Sequence, residues 1–286
     1  PKILRPADVA GTLTAEAARD FGLSGKTKVA AGLLDSAAEM VGLGALDELV
    51  GVIRLGNAGG VMTVKRRGGY RKNCLAYPHP VAPNWYYQAG TNACTTSLLW
   101  VRNLFAKNGR GLSYPRIDAL SRQAPPGCDG LLFHPYLLGE RAPYWEPALR
   151  GGFNGLSPVH GKAHFFRAVQ EGVAFSLRDC LAEADWSGVS EVRICGGGAK
   201  SGFWSELIAD IFGLPVVRMR YDDASAYGAS LVAASAVTGE KIEEIARNWV
   251  HRRDRLEPDV TRHEVYQEIY QRYCTLAQGL LSFYRR

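Results

Sequence analysis

The residues best equipped for chemistry in this 286-residue chain lie in three short segments. In the first, Glu191-Val192-Arg193-Ile194-Cys195 runs into Gly196-Gly197-Gly198-Ala199-Lys200-Ser201 and then an apolar stretch to Gly213, reading as strand, glycine turn and helix. Bare backbone lets a ligand approach closely, and the free N–H groups opening a helix suit an anion or a polar sugar edge. The turn matches neither the dinucleotide fingerprint nor the phosphate loop in spacing, so this segment alone leaves nucleotide binding and plain turn chemistry equally open. The second segment, Leu55-Gly56-Asn57-Ala58-Gly59-Gly60, separates two β-rich runs. Its amides can cradle phosphate oxygens, or it is simply a hairpin turn. The third is Asp35, delivered by Ala30-Ala31-Gly32-Leu33-Leu34 to the end of a strand and the start of a helix. A carboxylate held there can take a hydroxyl proton during phosphoryl transfer. Aspartate is also a favoured helix cap, the reading the residue alone favours.

The elements that must position these residues follow from hydrophobic periodicity. Helices are expected near Thr14–Phe21, from Asp35 to Leu46, from Asn92 to Lys107, from Lys162 to Glu183, through the small-residue run Ala224–Ala236, and from Thr261 to Tyr284. Strands are expected at Lys28–Gly32, Gly51–Leu55, Gly60–Val64, Cys74–Tyr77, Trp85–Ala89, Gly130–Phe133, Glu191–Cys195 and Pro215–Arg218. A hairpin region followed by alternating strands and helices implies a mixed α/β sheet flanked by helices.

Composition narrows the function class. With 47% apolar residues the chain can build a large core. Its charge of +6, from 34 basic and 28 acidic residues, is scattered apart from Lys65-Arg66-Arg67, His251-Arg252-Arg253 and Arg285-Arg286. That suits an acidic or phosphorylated ligand and forms no nucleic-acid stripe, so no nucleic-acid partner is expected. Six cysteines without C-x-x-C spacing read as buried, reduced thiols. No apolar run approaches the roughly 20 residues of a membrane span, and no charged-then-apolar leader opens the chain, so no membrane partner and a cytoplasmic location are expected. His160 and His164 have the spacing of metal ligands on a helix, but no third ligand is near, and an ordinary helix start is the expectation, with no protein-held metal.

A further segment from Gly130 to Leu156 contains Leu138-Gly139-Glu140-Arg141-Ala142-Pro143-Tyr144-Trp145-Glu146-Pro147, too much fixed geometry for a casual loop. It resembles the second signature of the FGGY carbohydrate kinases, and the resemblance extends over nearly the whole chain. The family's base segment corresponds to Ala31–Ala38, its phosphate hairpin to Leu55–Gly60, its adenosine motif to Gly196–Ser201 with Trp204, Ala209, Asp210 and Phe212, and its closing A-x-G-A-A helix to Ala226-Tyr227-Gly228-Ala229-Ser230.

The resemblance implies an actin-like, ribonuclease H-like α/β fold. Residues 1–50 would be the end of the N-terminal domain and the hinge, and 51–286 the C-terminal nucleotide-binding domain. It implies ATP with Mg2+, a hydroxyl of a ketopentose such as D-xylulose as acceptor, and a possible homodimer. Asp35 would be the catalytic base. Gly56, Asn57, Ala58 and Gly59 would lie around phosphates, and Gly197, Gly198, Ala199 and Lys200 around adenosine. Glu140 and Arg141 would shape the cleft edge or tie a loop. The family's opening Asp-x-Gly-Thr strand is absent from the sequence, which implies the carboxyl-terminal half of a kinase of about 500 residues whose other domain supplies most sugar contacts. Departures fall at Asn57 and Ala58, where the family carries Thr with Ser or Gly. Others fall at Cys94-Thr95-Thr96, where relatives carry a small glycine, and at Ser36, where known members carry Asn or Gln. They leave room for a different class: a nucleotide-binding module without catalysis.

Overall fold

A computed structural model describes residues 3–106 and 111–285. The chain opens with β1 (Val9–Thr12), α1 (Ala15–Phe21), β2 (Lys28–Ala30) and α2 (Asp35–Gly42). Four strands and two helices follow: β3 (Val50–Leu55), β4 (Gly59–Lys65), β5 (Leu75–Pro78), β6 (Trp85–Ala89), α3 (Thr95–Leu104) and α4 (Tyr114–Ser121). Next come β7 (Leu132–His134), β8 (Gly152–Asn154), α5 (Lys162–Asp179), α6 (Leu181–Ala184), β9 (Glu191–Cys195), α7 (Gly202–Phe212) and β10 (Val216–Met219). The chain closes with α8 (Ala224–Thr238), α9 (Ile242–Trp249), β11 (Arg252–Leu256) and α10 (Val260–Tyr284).

Seven strands form one mixed sheet in the order β11-β10-β9-β3-β4-β6-β5, parallel between β10, β9 and β3 and antiparallel elsewhere. Alternation along β3 sets the layers. Ile53 and Leu55 enter a core built with α3, α5, α7 and α10. Val50 and Val52 enter a second core beneath α2 and α8. Alternate residues of one strand thus bury opposite faces, which requires helices on both.

Met40 and Val41 of α2, and Leu43 just beyond it, are buried against the sheet and α8. A Cβ on Gly42 would sit 2.0 Å from the Ala224 carbonyl oxygen, and one on Gly228 would sit 1.8 Å from that of Ala38. The two helices therefore touch backbone to backbone, the close approach expected of the small-residue run. The β1–β2 ribbon stays largely exposed.

Boundaries shift where side chains are needed elsewhere. Helix α3 starts at Thr95 rather than Asn92, because Asn92 donates its amide to Glu140; the expected end of that helix at Lys107 lies outside the described residues, as does Arg286. The run from Lys162 divides at Cys180 into α5 and α6. Four of the six cysteines are buried and all are free. His160 accepts from the Ser157 amide and His164 from the Gly161 amide, so both close the start of α5. Among the described residues, no helix is long and apolar enough to cross a membrane.

Candidate active site

Parallel strands β3 and β9 end side by side, with Arg54 opposite Cys195, so the turns that follow them are neighbours. The positive φ of Gly196, 86°, is one that L side chains rarely adopt, and a Cβ there would lie 2.7 Å from the Leu55 carbonyl oxygen. A Cβ on Gly198 would lie 2.8 Å from that of Leu55 and 3.2 Å from a Thr95 methyl. The second glycine turn is thus packed directly on the root of the first, at the carboxyl ends of adjacent parallel strands, where open α/β sheets bind ligands.

Within the first turn, Asn57 and Ala58 form an exposed tip. Their amides have no acceptor among the described residues. Gly59, expected with them around phosphates, is buried at the start of β4, and its amide is committed to the Thr91 carbonyl at 3.1 Å. It serves close packing, because a Cβ would fall 3.0 Å from carbons of Cys94, Leu177 and Thr91. The start of α3 fixes the tip from behind. Cys94 and Thr95 donate their amides to Asn57 and Gly56 carbonyls at 2.8 and 2.9 Å, and the Thr95 and Thr96 hydroxyls bind the same two oxygens. The Cys94-Thr95-Thr96 departure therefore clamps the hairpin.

Beside the second turn opens a cavity of about 500 Å³. Leu98, Tyr114, Pro115 and Trp204 give it apolar walls, Gly197 and Gly198 a bare backbone edge, and Asp118, Lys200 and Ser201 polar groups. A Cβ on Gly197 would meet nothing within 4 Å. The Lys200 ammonium is paired with Asp222 at 2.9 Å, and Ala199 packs against the main core instead of lining this cavity. Sequence reasoning missed Asp118. Its carboxylate accepts from Ser201 at 2.7 Å and from Gln170 at 3.3 Å, and burial pushes its carboxyl above the usual range. It rides on α4, whose short apolar pattern gave no signal.

Asp35 stands at the same end of the sheet on the other face. Leu34, which has no side-chain oxygen, occupies the cap position, and Asp35 is the first helical residue. One carboxylate oxygen accepts from the Ser36 amide at 2.7 Å, and the other from Arg54 at 3.2 Å. Its side chain is 73% exposed. The Ser36 amide above all, with help from Arg54, holds the carboxyl below its ordinary range against the opposing effect of burial. The capping expectation is therefore not met, since Leu34 holds the cap position; the Asp35 carboxylate bonds the adjacent Ser36 amide and remains open to solvent.

Glu140 is 2% exposed and ties the signature loop down. It accepts from the Thr91 hydroxyl at 2.5 Å, the Asn92 amide at 2.9 Å and the Arg141 amide at 2.7 Å. Burial pushes its carboxyl up to about 7, partly offset by those donors. Arg141 reaches the Thr91 carbonyl at 3.2 Å, the oxygen that also accepts from Gly59. The pair therefore ties the loop and backs the hairpin root. No group of three or more His, Cys, Asp or Glu side chains that could hold a metal occurs among the described residues.

Residues 51–237 match the family model described as the FGGY family of carbohydrate kinases, C-terminal domain. The chain is 33% identical over 278 residues to the xylulose kinase of Staphylococcus epidermidis, covering 96% of this chain and 55% of that protein. It superposes on a ligand-bound xylulose kinase from Lactobacillus acidophilus with a TM-score of 0.90 and 26% identity, covering 99% of this chain and 58% of that one. A gluconate kinase from the same organism fits with a TM-score of 0.89 and 26% identity over the same shares. The chain thus spans little more than half the length of the relatives it matches.

Proposed function

The chain belongs to the FGGY family of carbohydrate kinases, with that family's actin-like fold, and from this premise we propose that it is the nucleotide-binding part of an ATP-dependent sugar kinase. The reaction is transfer of the γ-phosphoryl of MgATP to a hydroxyl of a ketopentose, D-xylulose being the first choice. The observation that carries the reading is the placement of two abutting glycine turns and one exposed carboxylate at the same end of the sheet.

The residues present fit the nucleotide. The cavity beside Gly197 and Gly198 is large enough for adenosine, with apolar walls for a base and Asp118 among its polar groups. The Asn57 and Ala58 amides, without an acceptor among the described residues, suit phosphate oxygens. Mg2+, when bound with ATP, neutralises charge on the transferred phosphoryl, and a cation carried largely by substrate phosphates needs no all-protein cage. Asp35 then orients the acceptor hydroxyl and takes its proton, while the tip amides hold the donor in place. An upstream domain supplies most contacts to the sugar in this reading. Cytoplasmic location and a homodimer remain part of the proposal.

Sugar-dependent ADP release tests it, using the polypeptide that joins this chain to its upstream domain and a panel of pentuloses, hexuloses, polyols and aldonates. Asp35→Asn should lower turnover by about 10² or more, the scale of a general base. Turnover near wild type in that variant would refute the role. The second reading, a nucleotide-binding module without catalysis, is favoured by Asn57 and Ala58, which put no hydroxyl at the hairpin tip. It requires ATP binding with no sugar-dependent turnover from any acceptor.

A further inference from the structure

Arg54 is the residue of β3 that touches Asp35, and its guanidinium serves two carboxylates at once. Nε and Nη2 donate to one oxygen of Glu39 at 2.9 and 2.8 Å, and Nη2 also donates to Asp35 at 3.2 Å. Glu39 is 7% exposed, four residues along α2 from Asp35, and its bonded oxygen also accepts from Ser225 of α8 at 3.3 Å. Its other oxygen is buried without a partner among the described residues. The stem of Arg54 passes the hairpin root, its Cγ 3.9 Å from where a Gly56 Cβ would stand.

We infer that Arg54, anchored on buried Glu39, is a positioning residue that fixes the Asp35 carboxylate at the hairpin root. The inference rests on the reading of Asp35 as the base.

The bond from the neighbouring Ser36 amide holds one oxygen of this exposed aspartate and leaves the other to swing, yet a base must lie within about 3 Å of the proton it takes. A surface ion pair would restrain it little, because both partners move and solvent screens them. Here one partner is immobilised. Two N–H groups on a buried carboxylate oxygen set the plane of the guanidinium, so the Nη2 proton aimed at Asp35 has a fixed origin. Glu39 also shares the positive charge. Arg54 therefore orients Asp35 without being its full counter-ion, and each carboxylate oxygen keeps a lone pair for a substrate proton. A lysine, lacking the planar fork, cannot hold both acids in this geometry.

The test uses the same sugar-dependent ADP assay on the full polypeptide. Arg54→Gln is expected to lower kcat by about 10- to 100-fold, the scale of a misplaced reacting group, with the KM for ATP unchanged. The acid limb of its kcat profile should move to higher pH, because the carboxyl loses a cation that helps keep it ionised. Arg54→Lys should restore part of the loss. Because Arg54→Gln leaves Glu39 buried and unpaired, Glu39→Gln combined with Arg54→Gln serves as the folded control and should show the same kcat loss. If that double variant turns over like wild type with an unmoved acid limb, while Asp35→Asn is inactive, the inference is overturned and the base assignment survives. An active Asp35→Asn variant overturns both.

Discussion

Single side chains in this molecule take their properties from what burial permits. His134 is fully buried, with Nε2 donating to the Tyr273 carbonyl at 3.0 Å and Nδ1 without a partner among the described residues, and burial lowers its pKa to about 4. His79 is held similarly, donating to Ala45 and accepting from the Val81 amide, and is also lowered to about 4. The unfolded chain takes up these protons near pH 6.5 and the folded chain near pH 4. Their contribution to stability is therefore full above pH 6.5 and lost as pH falls towards 4. The unfolding temperature should drop across that window, and His134→Phe should flatten the drop even though it costs stability at neutral pH. An unaltered slope in that variant would contradict the assignment. The placement of Asp35 at a helix start was legible in sequence because a strand, a glycine and an apolar run precede it. Arg54 and Glu39 were not, since an arginine on a strand and a glutamate within a helix look like solvated surface until the fold brings them together. Gly59 was misread for a related reason: sequence shows that a glycine is permissive, not whether the freed space admits a ligand or a neighbouring carbon.

Elements were legible where periodicity and packing agree. The hairpin β3–β4, the strand–turn–helix from β9 to α7 and the long α5 and α10 bury continuous apolar faces, and each was expected close to its observed span. Strand β11 was missed because it reads Arg-Arg-Asp-Arg-Leu, without apolar alternation. It persists as an edge strand through its ladder to β10 and through ion pairs, Arg218 with Asp254 and Arg255 with Glu191. Helices α4 and α9 are eight residues each, too short to declare themselves. The contact of α2 with α8 makes a prediction of sign. Glycine to alanine inside a helix ordinarily stabilises by up to about 1 kcal/mol. Gly279→Ala on α10, where nothing lies within 4 Å, should do so. Gly228→Ala should instead destabilise by about 1–3 kcal/mol, because the new methyl meets the Ala38 carbonyl. Denaturant unfolding of the two variants should give opposite signs, and stabilisation by Gly228→Ala would mean that the helices are not in backbone contact.

At the scale of the whole molecule, one sheet carries the proposed nucleotide cavity on one face and the proposed base on the other, joined across the ends of β3 and β9. In the proposed function, phosphates lying over that edge would reach from one to the other across the abutting turns. The chain superposes almost equally well on a xylulose kinase and a gluconate kinase, so the backbone fold alone does not name the sugar. Gly197 offers the cleanest probe, since it lines the cavity and a side chain there meets no protein atom. Calorimetric titration of ATP into wild type and Gly197→Val, with unfolding temperatures taken without nucleotide, measures the claim directly. The account predicts matching unfolding temperatures and an affinity weakened by about tenfold or more, a loss of roughly 1.4 kcal/mol or greater. Equal affinity in the two proteins would place ATP elsewhere and contradict it.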